Sequence, residues 1–143
     1  MDKIDYKILS LLQKNGRMLL KEIANEVYLS SPATAARIAK LEEDGIITGY
    51  FAKIDYKKMG YQIVAFINLE LDPKRKDEFY PYIKQCNNVL ECDCVTGHYS
   101  MLLKVAFKAT EELDGFIGKL QKYGNTETQI VFSTAKEEYS VKL

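Results

Sequence analysis

The spacing of apolar residues changes period near residue 61, and that change constrains the fold more than any other feature. Before it, apolar residues recur three and four apart, as on one face of a helix. After it they alternate, as on one face of a strand. A chain of 143 residues with this pattern is expected to hold two small units, a helical one over 1–60 and a sheet-bearing one over 61–143.

The first unit divides into three helices. Ile4, Ile8, Leu9 and Leu12 share one helical face, and Asn15-Gly16 stops the run. Leu20, Ile23, Ala24 and Val27 form a second face, followed by the short turn Tyr28-Leu29-Ser30. Ser30 or Ser31 caps a third helix. Pro32 sits in its first turn, where the missing N–H costs nothing. Thr34, Ile38 and Leu41 make its inward stripe, and Gly45 ends it. Two helices joined by a tight turn, with a third behind them, make a helix-turn-helix. The β-prone residues around Gly49 are expected to form a small wing or the strand leaving the unit.

In the second unit, Ile63, Ala65, Ile67, Leu69 and Leu71 mark the buried face of a first strand, ended by Asp72-Pro73. Phe79, Tyr82, Ile83 and Cys86 mark a helix. Leu90, Cys92 and Cys94 alternate in a second strand, and Thr96-Gly97-His98-Tyr99 turns into a third carrying Met101, Leu103, Val105 and Phe107. Leu113, Phe116, Ile117 and Leu120 give a second helix, closed by Gly124-Asn125, and a fourth strand is expected over Thr126–Thr134. The order βαββαβ is a ferredoxin-like, α+β arrangement. Two helices cover one face of such a sheet. Val64 and Phe66 on the other face call for a partner subunit.

Composition narrows the function. Lysine plus arginine and aspartate plus glutamate are equal at 20 each, but residues 1–60 carry 10 basic and 8 acidic side chains. If either unit meets phosphates, it is the first. No apolar run reaches the roughly 20 residues of a membrane span. Met1-Asp2-Lys3-Ile4-Asp5 lacks the basic and apolar regions of a signal peptide. Three cysteines do not pair into a disulfide framework. The expectation is a cytoplasmic protein with no membrane association. A zinc site from Cys86, Cys92, Cys94 and His98 is rejected, because Cys92 and Cys94 are spread along a strand rather than gathered in a knuckle. One histidine, with no phosphate loop and no nucleophile motif, gives a catalytic reading little support.

The chain resembles the Lrp/AsnC family of transcription regulators along essentially its whole length. The carriers are Ile4 to Leu9 with Asn15-Gly16-Arg17, Glu22-Ile23-Ala24, Leu29-Ser30, Arg37-Ile38, Leu41-Glu42, Gly45 to Tyr50 and Met59-Gly60. Thr96 to Ser100 followed by Met101 to Val105 continue it. The form Gly-His-Tyr-Ser is similar to that of the asparagine-responsive, AsnC-like branch, with Ser100 where the family usually has aspartate. The resemblance implies a winged helix-turn-helix followed by a ferredoxin-like (RAM) domain. It further implies double-stranded DNA as partner, an amino-acid effector, and a homodimer that assembles to an octamer, with no other cofactor.

The residues fit those roles. Ala33, Ala36, Arg37 and Lys40 lie on or near the outer face of the third helix, where small side chains permit close approach to the major groove. Ser30 and Ser31 stand at its N-terminus, a phosphate-binding position. Arg17, Lys21 and Lys53 suit backbone contacts. Against this, Arg37 could merely pair with Glu42 or Glu43, and the alanines could simply be good helix formers. In the second unit Gly97, His98, Tyr99 and Ser100 form the candidate effector loop. Gly97 permits a tight backbone turn and Tyr99 offers an aromatic wall; the plain alternative is an ordinary β-turn. Two rival functions stand beside an effector-responsive, sequence-specific regulator. One is a nucleoid-type architectural binder without effector; the other is a small-molecule-binding module whose helix-turn-helix makes only protein contacts.

Overall fold

The structure, a computed structural model, describes residues 1–137 and Val141. It separates into two units, one formed by Met1–Lys53 with Glu137, the other by Ile54–Lys136. The segment 54–60, expected at the tail of the first unit, groups with the second. There Tyr61 N–H donates to the Tyr56 carbonyl at 3.0 Å, Gln62 Nε2 donates to the Lys57 carbonyl at 2.8 Å, and the Tyr56 and Tyr61 rings meet edge to face.

The first unit holds α1 (Lys3–Lys14), α2 (Leu20–Val27) and α3 (Ser31–Glu43). Asp2 caps α1: its carboxylate accepts from the N–H groups of Ile4 and Asp5, and Asp5 accepts from Asp2 N–H at 2.8 Å. Glu22 does the same for α2 by accepting from Leu19 N–H at 3.0 Å. Ser30 Oγ accepts from Ala33 N–H at the start of α3, with Pro32 in its first turn. Ile8, Ile23, Val27 and Leu41 form the core, flanked by Ile4, Leu12, Leu29 and Ile38. Each buried aliphatic side chain contributes about 2 kcal/mol.

The strand expected around Gly49 is not formed: residues 46–62 contain no strand. A lone extended segment has no ladder to join. Tyr50 is instead tied to α3, its hydroxyl donating to Glu42 Oε1 at 2.8 Å.

The second unit runs β1 (Ile63–Leu71), a short 3₁₀ turn (Pro73–Arg75), α4 (Lys76–Lys84), β2 (Val89–Cys94), β3 (Met101–Phe107), α5 (Thr110–Leu120) and β4 (Gly124–Ile130). All strand pairs are antiparallel, in the order β2-β3-β1-β4. Ala65, Ile67 and Leu69 of β1 and Met101, Leu103 and Val105 of β3 face the helices and bury against Phe79, Ile83, Leu113, Phe116 and Leu120. The opposite face carries Val64, Phe66, Leu102, Lys104 and Ala106, with Lys104 Nζ 5.9 Å from the centre of the Phe66 ring.

Two details differ from the alternation in the sequence. A bulge at Leu90 breaks the register of β2, since Val89 faces Val105 but Glu91 already faces Lys104. Val89 and Cys92 therefore pack on the core while Leu90 is exposed. The last strand also begins and ends earlier than Thr126–Thr134. Gly124 does not close α5 but opens β4, which stops at Ile130 opposite Ala65 because β1 begins two residues away.

Candidate functional site

Two clusters stand out, one in each unit. In the first, α3 presents an exposed face of small residues. Ala33, Ala36 and Lys40 are exposed, as are Ser30 at the cap and Arg17 and Lys21 before and on α2, while Ser31 is half-buried. Thr34 is fully buried and anchors the helix start by donating from Oγ1 to the Ser30 carbonyl at 3.0 Å. A smooth outer face with a capped N-terminus can approach a groove floor and hold phosphate.

Arg37 does not join that face. Its guanidinium turns to the start of α1, with Nη1 2.8 Å from Asp2 Oδ2 and 2.8 Å from Asp5 Oδ1. Neither Glu42 nor Glu43 is its partner. The two carboxylates that complete the α1 cap leave outward-facing oxygens within reach of an arginine one helix away. Asp2 is held below the ordinary carboxylate value by Asp5 N–H and then by Arg37. Asp5 is held below it by Asp2 N–H and then by Arg37. Arg37 thus links α3 to α1, through carboxylates other than the Glu42 or Glu43 that the sequence offered. Lys53 is likewise engaged, its Nζ 3.0 Å from Glu137 Oε2.

In the second unit the loop between β2 and β3 is closed by Val95 N–H donating to the Ser100 carbonyl at 2.8 Å. Gly97 has φ 110°, a conformation that disfavours any residue with a side chain. Ser100 Oγ accepts from Leu71 N–H at 3.3 Å, so the hydroxyl ties the loop to the end of β1. His98 packs edge to face on Tyr99, and its Nε2 is 3.6 Å from Glu70 Oε2. The Glu127 carboxylate beside Tyr99 holds its phenol above the ordinary value. Asn125 Nδ2 donates to Glu70 at 3.1 Å. Glu70, Asn125 and Glu127 lie on the open face of the sheet, opposite the helices. The sequence pointed to the loop but not to these three, which come from β1 and β4 and are distant along the chain. A concavity of about 630 Å³ between Tyr82, Phe107 and Lys119 belongs to the other end of β3, roughly 20 Å along the strand.

The cysteines form no cluster. Cys86 and Cys92 are half-buried, Cys94 is exposed, and no group of three metal-ligating side chains occurs among the described residues. None of the described helices is long and apolar enough to cross a membrane.

Comparison with known proteins places both units. Residues 1–48 match the family model for winged helix-turn-helix DNA-binding domains, and residues 64–141 match that for the Lrp/AsnC ligand-binding domain. The HTH-type transcriptional regulator LrpB of Bacillus subtilis is 34% identical over 142 residues, covering 99% of this chain and 95% of that one. The structure of B. subtilis LrpC superposes with a TM-score of 0.90 at 29% identity, covering 95% of this chain and 97% of that one. A transcriptional regulator of Neisseria meningitidis, solved as its L-Met complex, superposes with a TM-score of 0.92 at 27% identity, covering 99% and 96% of the two chains. With both units matched and relatives spanning nearly its full length, this chain belongs to the Lrp/AsnC family of DNA-binding transcription regulators.

Proposed function

We propose that the protein is a sequence-specific transcription regulator whose DNA affinity or assembly is set by a small amino acid bound at the Gly97–Ser100 loop. The observation that carries this reading is the loop itself. It is closed by its own backbone, turned at a positive-φ glycine, and placed over the end of the open sheet face with Glu70 and Glu127 beside it. Ser100 stands where the family usually has aspartate and is bound to Leu71. Glu70 and Glu127 supply the carboxylates that an α-ammonium needs, and loop N–H groups suit the ligand's carboxylate. The Gly-His-Tyr-Ser form favours asparagine or another small polar amino acid. The L-Met complex of the Neisseria relative makes methionine the second ligand to try.

The open sheet face is the proposed dimer surface, and dimers would assemble further to an octamer. Val64, Phe66, Leu102 and Ala106 line it. A ligand at its rim then touches the assembly contact, and it shifts the assembly by as much as it prefers one arrangement. Ser30, Ser31, Ala33, Ala36 and Lys40 are the proposed groove-facing residues, with Arg17 and Lys21 on the phosphates. A thermal-shift screen against the twenty amino acids tests the effector. A true ligand at 100 times its dissociation constant stabilises by about 2.7 kcal/mol. No shift with any of them, together with equal affinity for unrelated duplexes, would instead favour the effector-free architectural reading.

A further inference from the structure

Tyr28 is the one described non-glycine residue with positive φ, at φ 56° and ψ 42°. It caps the C-terminus of α2, where its N–H donates to Asn25 O, in the turn that leads into α3. Glycine adopts this left-handed conformation freely, whereas a residue with a Cβ is disfavoured in it. Packing does not compensate, because Tyr28 is 94% exposed. An aromatic ring is therefore held in a strained conformation, in water, where glycine would serve the fold better. Strain of that kind gathers at functional sites.

The neighbours point to what the ring meets. Lys21 and Asn25 are four apart on α2 and both exposed, so they share one face, and the exposed Tyr28 follows at the end of the same helix. Their free ends are an ammonium, an amide and a phenol, all hydrogen-bond donors. The acids of α2 are elsewhere: Glu22 is turned back on Leu19 N–H, and Glu26 faces Lys7 at 4.0 Å. In a helix-turn-helix the first helix of the pair crosses the DNA backbone while the second enters the groove. We infer that Tyr28 is a DNA-backbone contact, its phenol donating to a phosphate at the groove edge beside Asn25 and Lys21. The inference rests on the DNA-binding reading above and adds a residue to it.

A phosphate contact carries no sequence information, so a fluorescein-labelled duplex of mixed sequence is a sufficient probe. The full-length protein and its Tyr28→Phe, Tyr28→Gly and Lys21→Ala variants are titrated by anisotropy across a salt series, and each is melted. Tyr28→Phe is expected to weaken binding about three- to tenfold. A neutral donor releases no counterion, so the slope of log affinity against log salt stays unchanged, whereas Lys21→Ala flattens it by about one. Tyr28→Gly is expected to weaken binding as much or more while melting at the same temperature or higher, since the strain is gone. Wild-type affinity in Tyr28→Phe overturns the inference alone. So does a Tyr28→Gly protein that melts lower, or one whose oligomeric state changes with its affinity. A wild-type protein that binds no duplex at low salt overturns the DNA-binding reading and this residue's part in it.

Discussion

Gly124→Ala probes the packing that sets the candidate effector site. At Gly124 the chain enters β4 against the end of β1, opposite Leu71. Asp72 N–H donates to the Tyr123 carbonyl at 2.8 Å in the same place. A Cβ on Gly124 would fall on the Glu70 carbonyl oxygen and lie 2.8 Å from its carbon. The obstacle is backbone, so no side-chain rotamer relieves it. The strands must part until the methyl group clears, which breaks the Asp72–Tyr123 bond. Overpacking costs about 1–3 kcal/mol and the lost hydrogen bond about 1 kcal/mol, so the variant should lose about 2–4 kcal/mol. Two other glycines serve as controls. A Cβ on Gly97 meets nothing within 4 Å, so only the positive φ of 110° is penalised, about 1–2 kcal/mol. Gly118 lies on the exposed face of α5 with open space around it. Alanine there should stabilise by about 0.5–1 kcal/mol through helix propensity. Urea unfolding followed by circular dichroism, at one fixed protein concentration, should therefore rank the series Gly118→Ala, wild type, Gly97→Ala, Gly124→Ala from most to least stable. A Gly124→Ala protein within about 0.5 kcal/mol of wild type would refute the close approach of β4 to β1.

Arg37→Met should unfold at lower urea than wild type at neutral pH, because it releases α3 from the α1 cap. Asp2 and Asp5 are depressed below 3.8 in the folded chain, so their stabilisation is full above that value and is lost as pH falls through the lower folded value. The gap between variant and wild type in an acid-unfolding series should therefore close as the carboxylates protonate. Val64→Asp places a charge on the open sheet face and should convert oligomer to monomer at micromolar concentration in light scattering; an unchanged mass would remove that face from the assembly. Cys92 is pushed up to about 11 by burial, and by the charges of Asp93 and Cys94. Peptide mapping after brief iodoacetamide treatment should find Cys94 alkylated well before Cys92.

Much of the fold is legible because its signals are local. Asn15-Gly16, Ser30 to Pro32 and Gly45 mark helix ends by capping and turn chemistry. The β1 alternation from Ile63 to Leu71 is carried intact into the buried face. What stayed hidden depends on partners far along the chain. The Leu90 bulge is visible only against β3, where Asn88 and Ala106 exchange hydrogen bonds just before the register shifts. Arg37 shows an outward spacing on α3, yet its carboxylates are more than thirty residues away. Gly124 reads as a helix stop until the Glu70 carbonyl is beside it. The proposed effector loop is plain in the sequence, whereas Glu70, Asn125 and Glu127 come to it only through the pairing of β1 with β4. Asp2-x-x-Asp5 is the signal that would have revealed the α1 cap, and with it a destination for Arg37.

The most direct measurement of function is the affinity of the full-length protein for a duplex that it has itself enriched from a random pool, titrated with and without each amino acid. At least one amino acid, with asparagine and methionine first to be tried, should change the apparent affinity or the size of the complex. Gly97→Val should bind the same duplex without ligand and lose that response, since a β-branched residue strained at this positive φ reshapes the proposed effector loop while the helix-turn-helix lies in the other unit. Binding that is indifferent to all twenty amino acids, or a response that survives in Gly97→Val, would contradict the effector loop.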